Sequence, residues 1–184
     1  MTDDVPRDPA PLPIAEIRPD PSSGRIGIAF APGRRDGDVP GGVPRDLESD
    51  LDAVAWWGAV AVLTLVEERE LRDLGISDIG EEVAARRMAW LHRPIRDFST
   101  PDARFEAEWA ETSRTLREFI GRGGDVLIHC RGGLGRSGMV ATRLLVECGV
   151  APDEALARIR AARPGAVETA EQELWAKGGK AASV

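Results

Sequence analysis

Apolar residues follow two different spacings along this chain, and the two spacings predict strands that alternate with helices. Continuous β-branched apolar runs, of which 59–66 is the longest, are typical of strands covered on both faces. Apolar residues three and four positions apart, as at Leu47, Leu51 and Val54, are typical of amphipathic helices. We predict strands over 25–30, 59–66, 88–95 and 126–129, and helices over 45–57, 67–75, 77–87, 100–120, 135–148, 152–162 and 167–177.

This order of elements predicts an α/β fold in which helices flank a mainly parallel central sheet. The run 25–30 alternates only weakly, and we predict it as an edge strand. Residues 1–23 hold many prolines and few large apolar groups, so we predict a tail that is flexible or strapped onto a domain of residues 24–184. Ligands bind to sheets of this kind where strands end and helices begin.

Composition and charge narrow the functions that are open to the chain. Its 184 residues, 42% of them hydrophobic, suit one domain with a single core. A net charge of −7 argues against a nucleic-acid partner, which requires a broad basic face. No apolar run reaches the roughly 18 residues of a membrane span. The acidic first ten residues do not resemble a signal peptide. A count of only two cysteines favours free thiols, so we expect a cytoplasmic protein with no membrane partner.

The segment HCRGGLGRSG, 129–138, combines a strand end, a glycine-rich loop and a helix start. Its glycines allow the backbone to curl so that successive N–H groups point inward, and the helix adds its positive N-terminal end. The planar guanidinium of Arg136 matches two phosphate oxygens. The pattern therefore predicts a cradle for a tetrahedral dianion, formed by Arg131, Gly132, Gly133, Leu134, Gly135 and Arg136.

Cys130 lies where the dipoles of this cradle converge. We expect its thiol to be ionised at neutral pH and placed for in-line attack on phosphorus. The Ser137 hydroxyl can stabilise the thiolate when it leaves, and His129 supports the loop through its ring hydrogen bonds rather than acting as a base. Cys148 lies about 18 Å along the predicted helix from Arg136, too far to form a disulfide, so we assign it to the core.

The loop resembles the signature of the protein-tyrosine and dual-specificity phosphatases, in which His-Cys, five residues and Arg precede Ser or Thr. Its interior, GGLGR, is similar to that of kinase-associated phosphatases. RPIRDFSTPD, 93–102, resembles the general-acid loop of the family, and GAVETAEQELW, 165–175, resembles its glutamine-containing loop. The resemblance covers roughly residues 24–175. It implies a three-layer cysteine-phosphatase fold and phosphomonoester hydrolysis through a phosphocysteine, with no metal or cofactor.

The resemblance also implies an aspartate that acts as general acid, for which Asp97 and Asp102 are the candidates. We favour Asp97 because it follows a strand end at the same sheet edge as Cys130. Asp102 falls in a first helical turn, where a carboxylate complements the helix dipole. Gln172 resembles the glutamine that orients the hydrolytic water. Glu168 stands where the family often has a second glutamine.

Three functions are compatible with these motifs. The leading hypothesis is a phosphatase whose partner is a protein phosphorylated on serine, threonine or tyrosine. The chain has no tyrosine to form the wall of a deep phosphotyrosine slot, which favours a shallower, dual-specificity site. The second is a phosphatase of phosphoinositides or small molecules, although the loop contains no lysine. The third is a non-catalytic phosphate-binding module. The sequence leaves the oligomeric state open.

The roles of Arg131, of residues 34–38 and of two tryptophans are less clearly indicated by the sequence. Arg131 either lines the pocket wall and favours acidic substrates or is solvated, and the sequence does not separate the two. The stretch 34–38, RRDGD, either borders the site or is a solvated loop, and we predict the solvated loop. We predict that Trp56 and Trp57 cover the sheet.

Overall fold

The computed structural model describes residues 10–38 and 43–179, which form a five-stranded sheet with the strand order β1-β2-β5-β3-β4. The strands are β1 (Ala15–Ile17), β2 (Ile26–Ala29), β3 (Ala59–Thr64), β4 (Ala89–His92) and β5 (Asp125–His129). The helices are α1 (Leu47–Trp57), α2 (Glu68–Asp73), α3 (Ile79–Ala85), α4 (Ala103–Gly121), α5 (Gly135–Glu147), α6 (Pro152–Ala162) and α7 (Ala170–Ala176). Strands β2 to β5 pair in parallel, which confirms the α/β prediction, and β1 alone is antiparallel to its neighbour.

Two apolar cores lie on opposite faces of the sheet. Val126 and Ile128 of β5 belong to the core under α4, α5, α6 and α7, whereas Leu127 between them belongs to the core under α1, α2 and α3. Leu63 and Val62 of β3 divide between the same two cores. Because successive side chains of a strand point to opposite faces, a continuous apolar run supplies both cores at once. The result is three layers, helix, sheet and helix.

Of the two alternatives for residues 1–23, a flexible tail or an extension strapped onto the domain, the described residues 10–23 form the second. β1 pairs with β2 through Ala15 and Ile17, so β2 is an inner strand and not an edge strand. Leu12 is buried, and Arg25 binds both Glu16 and Asp125, which fastens β1 to the sheet. A strand of three residues is too short for its alternation to be recognised among prolines. Residues 1–9 lie outside the described residues.

Helix α4 begins at Ala103, three residues after the start of the predicted range 100–120. Asp102 is the N-cap and accepts a hydrogen bond from the Phe105 N–H at 2.8 Å. Aspartate is a stronger N-cap than threonine, which is why the helix does not begin at Thr100. The buried stripe of α4 runs from Phe105 through Trp109 and Leu116 to Ile120, whereas Phe119 is half-buried.

The two tryptophans at the end of α1 do not both cover the sheet. Trp56 is 93% exposed, so the prediction is wrong for this residue. Trp57 is half-buried, and the Arg25 guanidinium lies 4.3 Å from its ring centroid. Of the helices in the described ranges, none combines the length and the apolar character that crossing a bilayer requires.

Candidate active site

The glycine-rich loop connects β5 to α5 at the carboxyl edge of the sheet. Gly133 has a φ of 69°, and a Cβ placed there would lie 2.5 Å from the backbone of Ala29 and Phe30. Only glycine can take this conformation while the loop passes so close to the end of β2. The neighbouring strand therefore forces the loop to curl back over Cys130.

The sulfur of Cys130 lies at the bottom of a cavity of about 210 Å³, and only 3% of the residue is exposed. Its Sγ accepts a hydrogen bond from the Gly133 N–H at 3.2 Å and lies 3.3 Å from the Ser137 Oγ. Both neighbours can stabilise negative charge on sulfur. The predicted loop residues that line this cavity, named the Cys130 cavity below, are Cys130, Arg131, Gly132, Leu134, Gly135 and Arg136.

Two arginines from distant segments hold the loop, Arg34, which also lines the cavity, and Arg163, which does not. Arg163 donates to the carbonyls of Gly132 and Gly133 at 3.2 and 3.0 Å, and Arg34 donates to the Arg131 carbonyl at 3.0 Å. These contacts turn the carbonyl dipoles away from the position of an anion. Neither arginine is identifiable from the loop sequence, because each comes from a distant segment.

The prediction of a solvated loop at 34–38 is wrong for Arg34, which is 3% exposed. Its guanidinium makes a bidentate pair with Asp36, with both distances 2.7 Å, in addition to its bond to the Arg131 carbonyl. The Asp36 carboxylate also accepts from Arg131 at 2.7 Å. Hydrogen bonds from Arg34 above all, and then from Arg131, hold the pKa of Asp36 below its usual range despite burial.

The guanidinium of Arg136 is almost completely buried and has one free donor. It binds Glu70 at 2.6 and 2.8 Å, the Ile95 carbonyl at 3.0 Å and the Asp97 carboxylate at 3.0 Å. Among the described residues, the Arg136 Nε has no hydrogen-bond partner. A buried donor without an acceptor is unfavourable by about 1–3 kcal/mol, which a bound oxyanion would remove. Burial lowers the pKa of Arg136, but the bonds to Glu70 and the negative charges around it outweigh burial and raise that pKa overall.

Glu70 pairs with Arg136 at the candidate site, and no motif of the sequence singled it out. It occupies the third position of α2, where its Oε2 accepts from the Glu67 N–H at 2.9 Å in a capping box. Burial raises the pKa of Glu70, but the hydrogen bonds from Arg136 and Glu67 outweigh burial and lower it. The signal available in the sequence was the pair Glu67 and Glu70 just after a predicted strand, at the same sheet edge as Cys130.

His129 is fully buried and supports the loop through a chain of hydrogen bonds. The Trp90 Nε1–H donates to the Thr64 Oγ1 at 2.9 Å, and this oxygen lies 2.8 Å from the His129 Nε2. The Thr64 hydroxyl therefore donates to Nε2, which leaves the proton on Nδ1, 3.4 Å from the Cys130 carbonyl. Burial lowers the pKa of His129 to about 4, so the ring is neutral at pH 7. A neutral ring bonded to backbone and hydroxyl holds the loop in place.

Of the two candidate acids, the structure brings only Asp97 to the Cys130 cavity. Its Oδ1 lies 3.0 Å from the Arg136 Nη2, and its side chain is 47% exposed. Asp102 is the N-cap of α4 and does not line the cavity. Phe98 lines the cavity beside Asp97, is 65% exposed and has a φ of 54°. Such strain in an aromatic residue is typical of functional loops.

Gln172 is fully buried, which excludes an exposed position on α7. Its Oε1 accepts from the Glu168 N–H at 2.9 Å, and its Nε2 donates to the Ser99 carbonyl at 3.3 Å. The amide therefore joins the glutamine-containing loop to the general-acid loop. It lies behind Gly135, whereas the neighbouring Glu168 lines the cavity.

The remaining candidates have simpler surroundings. Cys148 is a free thiol, half-buried, and burial raises its pKa to about 11, as expected for an unreactive side chain. Arg131 lines the cavity, but its charge is paired with Asp36. Within residues 10–38 and 43–179, no group of three or more His, Cys, Asp or Glu side chains could hold a metal ion.

Comparison with known proteins places this geometry in a family. The family described as "Tc-R-P: Polymorphic toxin system, DSP-PTPase phosphatase" matches residues 42–150. The mouse protein cyclin-dependent kinase inhibitor 3 is 28% identical over 163 residues, which cover 88% of this chain and 72% of the mouse protein. Its human counterpart is 28% identical over 150 residues, with 80% and 68% covered.

Two solved structures have similar folds. A kinase-associated phosphatase whose catalytic cysteine is replaced by serine superposes with a TM-score of 0.79 at 25% identity, over 91% of this chain and 93% of that one. The active form of the phosphatase Tk-PTP superposes with a TM-score of 0.61 at 37% identity, over 83% and 91% of the two chains.

Proposed function

Because this chain belongs to the DSP-PTPase family and is a cysteine-based protein phosphatase, we propose that Cys130, Arg136 and Asp97 are its catalytic residues. One observation carries the proposal. The buried Cys130 sulfur accepts the Gly133 N–H at the bottom of a cavity whose only buried unpaired side-chain donor, among the described residues, is the Arg136 Nε. A tetrahedral oxyanion bound above the sulfur satisfies that donor.

In the first step the phosphoryl group of the substrate binds to the loop N–H groups and to Arg136. The Cys130 thiolate attacks phosphorus, so that an S–P bond forms while the P–O bond to the leaving group breaks. Asp97, in its acid form, gives its proton to the departing oxygen. The products of this step are the dephosphorylated hydroxyl group and a phosphocysteine. Glu70 accepts from both terminal nitrogens of Arg136, which fixes the orientation of the guanidinium that binds the phosphoryl group.

In the second step a water molecule hydrolyses the phosphocysteine. Asp97, now a carboxylate, takes a proton from the water while the water oxygen attacks phosphorus and the S–P bond breaks. The Ser137 hydroxyl, 3.3 Å from the sulfur, donates to the thiolate as it leaves. Glu168 lines the cavity on the side of the glutamine-containing loop, and we assign the buried Gln172 to hold that loop in the position from which it orients the water.

We propose phosphoproteins as the substrates, phosphorylated on serine, threonine or tyrosine. Phe98 is the aromatic side chain at the mouth of the Cys130 cavity and can pack against a phosphoresidue. The loop interior has no lysine to bind the additional phosphates of an inositol ring. We further propose that the phosphatase domain includes residues 12–23, and that the protein is cytoplasmic on the ground of its two free thiols.

The experiment that tests this function compares two cysteine variants. Cys130→Ser should abolish turnover of para-nitrophenyl phosphate and of phosphopeptides, yet still bind tungstate. Cys148→Ser is the matched control and should retain full activity. Turnover that persists in Cys130→Ser would remove Cys130 as the nucleophile. Wild-type protein that binds tungstate without turnover would indicate a binding module, and faster turnover of soluble inositol phosphates than of phosphopeptides would favour that substrate class.

A further inference from the structure

Three arginines and three carboxylates line the Cys130 cavity, and two further carboxylates, Asp36 and Glu70, pair with those arginines from behind its walls. The arginines that line it already face carboxylates: Arg34 binds Asp36 at 2.7 Å, Arg131 binds the same Asp36 at 2.7 Å, and Arg136 binds Glu70 at 2.6 Å. Asp97 adds a further carboxylate 3.0 Å from Arg136, and Asp38 lies 3.8 Å from Arg131. The rim of the cavity therefore has little positive charge left for a second anion.

Glu168 adds a carboxylate to the cavity lining, and it takes part in none of the ion pairs between described residues. It lies on the backbone of Gly135, where α5 begins, and a Cβ built on Gly135 would lie 2.2 Å from its Oε2. This is the wall of the cavity beside the phosphate cradle. A carboxylate at this place repels a bound dianion and so weakens phosphate binding. A negative charge that is nevertheless kept there can affect which substrates bind.

The backbone around Glu168 is held firmly, so the carboxylate cannot simply withdraw with its loop. The Glu168 N–H donates to the buried Gln172 amide, and the preceding Val167 N–H donates to the Leu134 carbonyl at 3.3 Å. Val167 has a φ of 63°, which a β-branched residue rarely adopts. Several contacts therefore maintain a strained conformation that presents Glu168 at the cavity.

We propose that Glu168 is a specificity-determining residue that disfavours substrates with a second anionic group beside the scissile phosphate. The inference rests on the proposed function and narrows its substrates to singly phosphorylated segments with neutral or basic neighbours. A neighbouring phosphate or carboxylate of the substrate would approach the Glu168 carboxylate while the surrounding arginines are already paired. Repulsion between unit charges at this range, partly screened by solvent, changes a rate ratio by roughly tenfold.

The test compares two phosphopeptides that differ only beside the phosphoresidue, one with glutamine and one with glutamate on both sides. Wild-type protein should have a kcat/KM about tenfold higher for the glutamine peptide. Glu168→Gln should reduce that preference to about twofold or less, through faster turnover of the glutamate peptide. Glu171→Gln, an exposed neighbour on α7, is the control and should keep the wild-type preference. High salt should weaken the preference in wild type, since the effect is electrostatic.

An equal preference in wild type and in Glu168→Gln would overturn the inference, as would a wild type that favours the glutamate peptide. Because the result is a ratio, a general change in catalysis by the variant cancels. The same two peptides, bound to Cys130→Ser by calorimetry, provide a readout without turnover, and the affinity ratio should change in the same direction. If wild type hydrolyses para-nitrophenyl phosphate but neither peptide, the phosphoprotein function fails instead.

Discussion

Lowering the pH from 7 to 5 should destabilise this protein through one buried imidazole, that of His129. The ring donates to the Cys130 carbonyl and accepts from Thr64, whose hydroxyl oxygen is also occupied by the Trp90 indole. A second proton on Nε2 would face the Thr64 hydroxyl donor. The folded protein therefore resists protonation of a side chain that the unfolded chain protonates readily.

The magnitude follows from the two pKa values of His129. Its ordinary pKa is 6.5, and burial lowers it to about 4 in the folded state. The stability that the neutral ring contributes is fully present above pH 6.5, falls as the pH decreases and is fully lost below pH 4. At pH 5 nearly all unfolded molecules hold this proton but only about a tenth of folded ones do, which corresponds to a loss of about 2 kcal/mol between pH 7 and 5.

The assay is urea unfolding at pH 7 and pH 5, followed by tryptophan fluorescence, for wild type and His129→Asn. Wild type should lose about 2 kcal/mol more than the variant over this interval, because asparagine cannot take up the proton. His92→Gln is the control and should retain the wild-type loss, since His129 is still present. Equal losses in wild type and His129→Asn would refute the assignment of a buried neutral ring.

Three substitutions test the site further. Asp97→Ala should lower kcat by about 10²-fold, most for poor leaving groups, whereas Asp102→Ala should reduce helix stability by about 1 kcal/mol and leave kcat unchanged; the reverse order would contradict the acid assignment. Glu70→Gln should reduce the free energy of unfolding by about 3 kcal/mol in urea, because the buried guanidinium loses its bidentate carboxylate and keeps only the half-exposed Asp97, while the exposed Glu68→Gln should change it by less than about 0.5 kcal/mol. Gly133→Ala should abolish activity and lower the melting temperature, since its Cβ would meet backbone at 2.5 Å; a fully active variant would show that the loop can relax.

Much of the site could be predicted from the sequence because its chemistry is local. The loop 130–136 places its nucleophile, its glycines and its arginine within seven consecutive residues, and their roles follow from backbone geometry. Asp97 could be preferred to Asp102 as the candidate general acid because Asp97 follows a strand, whereas Asp102 lies at the start of a helix. The misplaced start of α4 has an equally local cause, since two capping residues compete within three positions.

The partners of the loop could not be predicted, because they come from distant parts of the chain. Glu70 is 66 residues before Arg136, Arg34 is 97 before Arg131, and Arg163 is 30 after Gly133. Each is a charged residue in a polar stretch, and in a sequence such residues are indistinguishable from solvated surface side chains. Their roles depend on ion pairs that form only when the chain is folded.

The sequence by itself determined the class of fold, and it was enough to propose the phosphate-binding loop and the nucleophile, since periodicity and glycine content act over a few neighbouring residues. Tertiary structure alone decided that β1 joins the edge of the sheet, that Arg136 is paired with Glu70 and that Glu168 lines the Cys130 cavity. The physical reason is the same in each case. Strand pairing, ion pairing and proximity to a cavity depend on which distant segments meet, and the sheet order decides that.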